Sequence, residues 1–155
     1  MIVVERMKQA HYMVWGSIGV GKTSLINALS DTTSNPARKT QMIDYRGMAI
    51  DTPGEYAERG HLRRHLQSTA ATVELMLVVI DATRPETRFP PHYFLMFSQP
   101  VIGIVNKIDL ATDSEVQQAA QLLRQIGVVG EIFYVSAITG SGLEKVRQFL
   151  SNYLQ

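Results

Sequence analysis

Apolar positions along this chain follow two alternating rhythms. Continuous apolar runs at Tyr12–Trp15 and Ile132–Val135 predict the first and last strands, and those at Leu75–Ile80 and Val101–Val105 predict buried strands, the former covered on both faces. Between them apolar residues recur at helical spacing. One helix runs from Lys22 to about Ser30, and a second carries Leu62, Leu66, Ala70 and Val73. A third opens on the capping-box pattern of Thr112-Asp113-Ser114-Glu115 and ends near Gly127. Ser141 and Glu144 suggest a second capping box, before a terminal helix with Leu143, Val146, Leu150 and Tyr153 on one face. Met42–Tyr45 and Met48–Ile50 flank Arg46-Gly47 as a tight hairpin would. Asp31–Lys39, with Asn35-Pro36, reads as an exposed loop, and Ala82–Pro91 holds three of the six prolines and is irregular. Tyr93–Phe97 is at most a short helix. The pattern is an α/β domain of six mostly parallel strands and about five helices, single across residues 1–155.

Composition narrows the function classes. A chain of 155 residues that is 45% hydrophobic can bury a core without staples. A net charge of +1 makes no case for nucleic acid or an anionic membrane as partner. Without cysteine there is neither disulfide nor thiolate metal site, which suits a reducing cytoplasm. The longest apolar run is too short to span a bilayer, and no signal-peptide pattern is visible. Met1–Arg6 precede a second start at Met7 and read as an extension or an upstream start.

The chemistry begins where the first strand meets the first helix, at Gly16-Ser17-Ile18-Gly19-Val20-Gly21-Lys22-Thr23. In that context G-x-x-x-x-G-K-[ST] is a phosphate-binding loop. Its glycines let successive N–H groups turn inward on an anion, and the helix N-terminus adds positive potential. Lys22 supplies a point charge for the outer phosphates, and the Thr23 hydroxyl is placed to ligate Mg²⁺. Asp51-Thr52-Pro53-Gly54 ends a strand. Its carboxylate can hold Mg²⁺ through water while the Gly54 N–H approaches a γ-phosphate, although this tetrapeptide is also an ordinary turn. Asn106-Lys107-Ile108-Asp109 follows another strand. There Asp109 can accept two N–H bonds from guanine, Asn106 can hold neighbouring loops together, and the Lys107 stem can cover the base. After the last strand comes Ser136-Ala137, where a backbone N–H can bond the guanine O6. These short motifs gain specificity from their order, each at a strand's C-terminal edge, where such sheets bind ligands.

Taken together these motifs make the chain resemble a small Ras-like P-loop GTPase domain, a three-layer sandwich, with the Ser-Ala-x-x-Gly-x-Gly ending of Era-type members. Ala37-Arg38-Lys39-Thr40-Gln41 and Asp51-Thr52-Pro53-Gly54-Glu55-Tyr56 resemble the ethanolamine- and propanediol-utilisation GTPase-like family more closely. Pro100-Val101-Ile102-Gly103 resembles its propanediol branch. The resemblance covers roughly Met7 to Leu154. It implies a bacterial protein encoded with metabolic microcompartments, binding GTP or GDP with Mg²⁺ and possessing shell or cargo proteins as candidate partners. It also implies a first-switch role for Thr40, capping Mg²⁺ and meeting the γ-phosphate, and nucleotide contacts extending to Ser24 and Ile138. Acetate-kinase activity has been attributed within this family.

Departures from the Ras-like pattern bear on chemistry. Ile18 stands where glycine would admit an activating arginine. Gly19 replaces the asparagine by which some Era-type members bind potassium. Glu55 occupies the place of the water-orienting glutamine, so Lys22, Thr40, Gly54 and Glu55 are the candidates for any catalytic role. Outside the motifs, Arg59, His61, Arg63, Arg64 and His65 form either a solvated helix face or a docking surface. Phe89, Tyr93, Phe94 and Phe97 are either core packing or a partner site. Three functions remain open on sequence: a slow GTPase or switch, a kinase passing phosphate to acetate, and a structural or targeting factor with residual nucleotide binding.

Overall fold

The computed structural model describes residues 11–30, 44–46 and 49–154. Their elements in order are β1 (Tyr12–Trp15), α1 (Lys22–Leu29), β2 (Asp44–Arg46), β3 (Ala49–Asp51), α2 (Gly54–Glu58), α3 (Gly60–Ala70), β4 (Leu75–Asp81), β5 (Val101–Asn106), α4 (Asp113–Gln125), β6 (Ile132–Tyr134) and α5 (Leu143–Tyr153). Short 3₁₀ turns cover Tyr93–Met96 and Ile108–Leu110. The strands form one sheet in the order β2-β3-β1-β4-β5-β6. β2 runs antiparallel to β3, with Arg46 opposite Ala49 as the hairpin reading requires. Every other pairing is parallel.

Alternation along β4 explains the three layers. Leu75, Leu77 and Val79 pack on one face with Val14, with Leu25 and Ile26 of α1, and with Val146 and Leu150 of α5. Met76, Val78 and Ile80 pack on the other with Met13 and Trp15, with Leu66 and Ala70 of α3, and with Leu123 of α4. A strand covered on both faces must be apolar at every position, which is why β4 reads as an unbroken run. Parallel strands also place their C-terminal ends along one edge. Gly16, Asp51, Asp81, Asn106 and Ser136 all leave the sheet there. Among the described residues no helix is long and apolar enough to cross a membrane.

Local chemistry sets the helix ends. The capping box at α4 forms as expected: the Thr112 hydroxyl accepts from the Glu115 N–H at 3.2 Å, and the Thr112 N–H donates to the Glu115 carboxylate at 2.9 Å. The second expected capping box does not form. The N-cap of α5 is Gly142, at φ 77°, without a side-chain cap. A β-carbon at Gly142 would strike the Tyr134 carbonyl oxygen, so the chain enters α5 by a left-handed glycine pressed against β6. Ser141 instead accepts the Ser136 N–H on its carbonyl, and Glu144 pairs with Arg147 at 3.2 Å. The apolar face of α5 closes with Leu154, 8% exposed, whereas Tyr153 is 40% exposed and stacks on Phe149.

The aromatic segment after β4 is core. The fully buried Trp15 ring meets Phe89, Tyr93, Phe94 and Phe97 at centroid distances of 6.0, 6.2, 5.4 and 5.6 Å. Arg63 does not share the solvated face that is one of the two readings of the basic cluster. Its guanidinium lies 5.8 Å from the Phe89 ring centroid and 5.4 Å from that of Tyr93, while Arg59, His61, Arg64 and His65 are exposed. α2 was not anticipated: the chain after Gly54 makes a five-residue helix before α3.

Gly142→Ala should lower unfolding free energy by about 1–3 kcal/mol, the cost of overpacking a tight site. Urea denaturation monitored by Trp15 fluorescence measures it, and an unchanged midpoint would show that β6 and α5 part without strain.

Candidate nucleotide site

β1 carries the chain straight into Gly16, and the loop that follows is shaped by what its glycines touch. A β-carbon on Gly16 would sit 2.7 Å from a Val20 methyl and 3.0 Å from the Val79 carbonyl oxygen. Gly19 and Gly21 have φ of 83° and 92°, and Gly21 is the N-cap of α1, with no side-chain cap. The helix N-terminus is thus left for an outside acceptor. Lys22 is buried, its ammonium donating to the carbonyls of Gly16 at 2.8 Å and Ser17 at 3.2 Å. Ser24 follows, half-buried, in the first turn of α1.

Across the edge, β3 brings Asp51 to this helix. The Thr23 hydroxyl donates to the Asp51 carboxylate at 2.7 Å, and Asp51 is buried. The neighbouring Thr52 hydroxyl donates to the Val14 carbonyl at 2.8 Å, tying the end of β3 to β1. Burial, reinforced by the negative charge of Asp51, pushes the Tyr12 phenol up to about 12, so it stays neutral. Gly54 lies hard against the loop crest: a β-carbon there would stand 2.6 Å from the Ile18 nitrogen. Glu55 is half-buried in the first turn of α2, where a carboxylate complements the helix dipole. Thr40 lies outside the described residues, as do residues 1–10 and Ala37–Gln41.

Asn106 joins the two halves of the site. It is 2% exposed; its amide donates to the Val20 carbonyl at 3.0 Å, and its side-chain oxygen accepts the Ala137 N–H at 3.2 Å. A β-carbon on Gly21 would approach that amide nitrogen to 2.5 Å, so loop and carboxamide are in direct contact. Lys107, at φ 65°, donates to the Gly19 carbonyl at 2.8 Å and lies along the loop. Asp109 is exposed on the following 3₁₀ turn, open to an arriving donor. Ser136 is fully buried, its hydroxyl accepting the Thr139 N–H at 3.1 Å, whereas Ile138 is 82% exposed.

One residue of this site escaped the sequence reading. Asp81, at the end of β4, pairs with Lys107 at 3.0 Å and accepts from the Thr83 N–H at 2.8 Å and the Thr83 hydroxyl at 2.6 Å. Burial pushes its carboxyl up, but the hydrogen bonds from Thr83 and Lys107 outweigh this and hold it below the ordinary carboxylate value. Its signal was positional: like Asp51 and Asn106, it is a polar residue ending a buried strand at the ligand edge.

The donors present fit magnesium. A hydroxyl and a carboxylate 2.7 Å apart beside a phosphate loop are hard oxygen ligands. Among the described residues no three His, Cys, Asp or Glu side chains gather into an all-protein metal cage. That suits an ion held by one or two side chains and shared with phosphates.

Residues 7–152 match the family described as "Ethanolamine utilisation - propanediol utilisation". The chain belongs to this family. It is 32% identical over 139 residues to the "Propanediol utilization protein PduV" of Citrobacter freundii, covering 90% of this chain and 91% of that one. It is 35% identical over 141 residues to the "Probable acetate kinase EutP" of Salmonella typhimurium, covering 90% and 85%. Among solved structures, it is similar to Era from Aquifex aeolicus bound to GDP and AlF₄⁻, with TM-score 0.65 and 25% identity over 94% of this chain and 56% of that one. Elongation factor SelB from Methanococcus maripaludis, in complex with the GTP analogue GPPNHP, matches in fold at TM-score 0.69 and 23% identity, over 94% of this chain and 34% of SelB. This family member therefore has the α/β fold of P-loop GTPases, as its sheet order and loop indicated.

The Asp81 pair has a pH signature. Because its folded pKa is depressed, its contribution to stability is full above the unfolded carboxylate value of about 4 and is lost as pH falls through the lower folded value. Asp81→Asn should therefore be less stable than the parent at neutral pH, with the gap narrowing below about pH 4. Denaturation across pH 2–7 measures the gap, and a gap independent of pH would remove the charge from the explanation.

Proposed function

We propose that this protein is a guanine-nucleotide-binding protein that hydrolyses GTP slowly with Mg²⁺ and serves a bacterial microcompartment for ethanolamine or propanediol utilisation. The observation that carries the reading is the Asn106 bridge, which holds the phosphate loop through Val20 and the last-strand loop through Ala137 in one rigid seat. In this reading Gly16–Ser24 hold the phosphates, and Asp109 takes the N–H edge of guanine. Lys107 covers the base, and Ser136, Ala137 and Ile138 close its far side. Thr23 and Asp51, with Thr40, would hold Mg²⁺, which when bound neutralises charge between the outer phosphates. Lys22 leaves the carbonyls of Gly16 and Ser17 for phosphate oxygens, exchanging neutral acceptors for charged ones. Gly54 lets the strand-end turn lie close to the crest, so its backbone can reach the same phosphate.

A second reading has its own support. Relatives at 30–35% identity, from Escherichia coli and Salmonella typhimurium, carry the name "Probable acetate kinase EutP". A kinase would use the same loop and metal but pass the phosphoryl group to a carboxylate. Purifying the protein, identifying its bound nucleotide and measuring GTP and ATP turnover with and without acetate separates the two. Slow, acceptor-independent release of phosphate is expected, and rapid acetyl phosphate formation would establish the kinase. Asp109→Asn should weaken GTP at least ~10-fold and improve xanthosine triphosphate, since the lost pair is charge-assisted. Equal affinity of the native protein for ATP and GTP would overturn the assignment of the base.

Glu55 tests the catalytic side. A carboxylate could act as a general base worth 10²–10⁴ in rate, on the order of other such groups. Two anions about 4 Å apart, however, repel by roughly 4 kcal/mol at an effective dielectric of 20. Phosphoryl transfer gains chiefly from positioning and positive charge. Glu55→Gln should therefore leave single-turnover hydrolysis unchanged or faster. A tenfold drop at intact nucleotide affinity would make Glu55 the base.

A further inference from the structure

Between the crest of the phosphate loop and the segment after β4, lined by none of the residues assigned above to metal and base, lies a cleft of about 570 Å³. One wall is the crest Ser17–Val20; the other is the segment after β4, with Arg84, Glu86, Thr87 and Arg88, and Asp81 also lines it. That segment is held in shape. The Arg84 N–H donates to the Asp81 carbonyl at 3.1 Å, the Glu86 N–H to the Arg84 carbonyl at 2.7 Å, and the Phe89 N–H to the Thr87 hydroxyl at 3.2 Å. Phe89 is buried against Trp15, anchoring the far end in the core.

The charges are unequal. Asp81 is already neutralised by Lys107. Two guanidiniums then face one carboxylate, Glu86, which pairs with Arg84 at 3.2 Å. Both side chains of that pair are more than 70% exposed, so the bond is weak and readily exchanged for a better acceptor. Arg88 has no hydrogen-bond or ion-pair partner among the described residues. Planar guanidiniums held on a short, pinned segment suit bidentate capture of an oxyanion. The cavity is within the range that small-molecule sites occupy, but its chemistry is polar.

We propose that this cleft is a second anion site, in which Arg88 and Arg84 take a small oxyanion, a carboxylate or a phosphate, beside a nucleotide-loaded loop. The proposal rests on the nucleotide reading only in treating the inner side of the loop as occupied by GDP or GTP. The anion sits between the crest and the arginine-bearing segment, and Glu86 is released from Arg84 as it arrives. This gives the chain a place to sense or receive a small acid while nucleotide stays bound.

The test uses the full chain saturated with GDP and Mg²⁺ at constant ionic strength. Sodium acetate and inorganic phosphate are titrated in separate arms, followed by ¹³C line broadening and ³¹P shift, with GDP retention measured on the same samples. Binding in at least one arm is expected, and the stronger arm identifies the class of anion. R88Q with R84Q should weaken it at least ~10-fold, the loss of charge-assisted bonds, whereas the Lys pair R88K and R84K should restore part. GDP affinity should stay within about twofold, since neither arginine belongs to the assigned nucleotide seat. Absence of binding in both arms, binding indifferent to these substitutions, or an anion that GDP displaces would overturn the proposal. Failure to retain GDP while arginine-dependent anion binding persists would instead overturn the nucleotide reading and leave the anion site standing.

Discussion

Everything at the ligand edge hangs on the carboxamide of Asn106. It is one side chain with one donor pair and one acceptor, and it uses them on the two loops that lead into α1 and α5. Its amide holds the Val20 carbonyl and its oxygen holds the Ala137 N–H. Inside the sheet edge, out of water, such bonds are costly to leave unmade, so the side chain fixes the loops as much as it joins them. The close fit follows from Gly21, whose missing side chain lets the loop lie on the carboxamide. Neither residue works without the other.

Around this bridge the parallel sheet supplies the remaining groups by the same device. A strand buried on both faces ends where its first polar residue can reach solvent or a partner, and five strands end along one line. That is how Asp51 comes to the Thr23 hydroxyl and Asp81 to Lys107. Lys107 is therefore shared, donating to the Gly19 carbonyl while neutralising Asp81. It ties the end of β5 to the Gly16–Thr23 loop a second time, at Gly19. The crest Ser17–Val20 also forms one wall of the cleft that the arginine-bearing segment closes. Behind it Trp15 and its ring of Phe89, Tyr93, Phe94 and Phe97 make a stiff floor, to which α3 is attached through Arg63.

Much of this was legible in the residues themselves, for a physical reason: a motif that binds phosphate with backbone groups needs glycine at fixed steps, and a doubly buried strand needs apolar residues at every step. Both demands are local, so Gly16–Thr23, β4, β5 and the capping box at Thr112 could be read directly. The order of the motifs then placed Asp51, Asn106 and Ala137 on one edge, because parallel strands allow little else. What the tertiary structure alone decided are choices between equal local options. Ser141 had the right spacing for a cap, but the close passage of Tyr134 left only a glycine able to enter α5. Arg63 had the polarity of its neighbours, but the rings of Phe89 and Tyr93 offered its guanidinium a better surface than water. Asp81 looked like the end of a strand until Lys107, 26 positions along the chain, came to lie beside it. A long-range partner leaves no periodicity in the chain, and only the packing of the sheet brings it into reach.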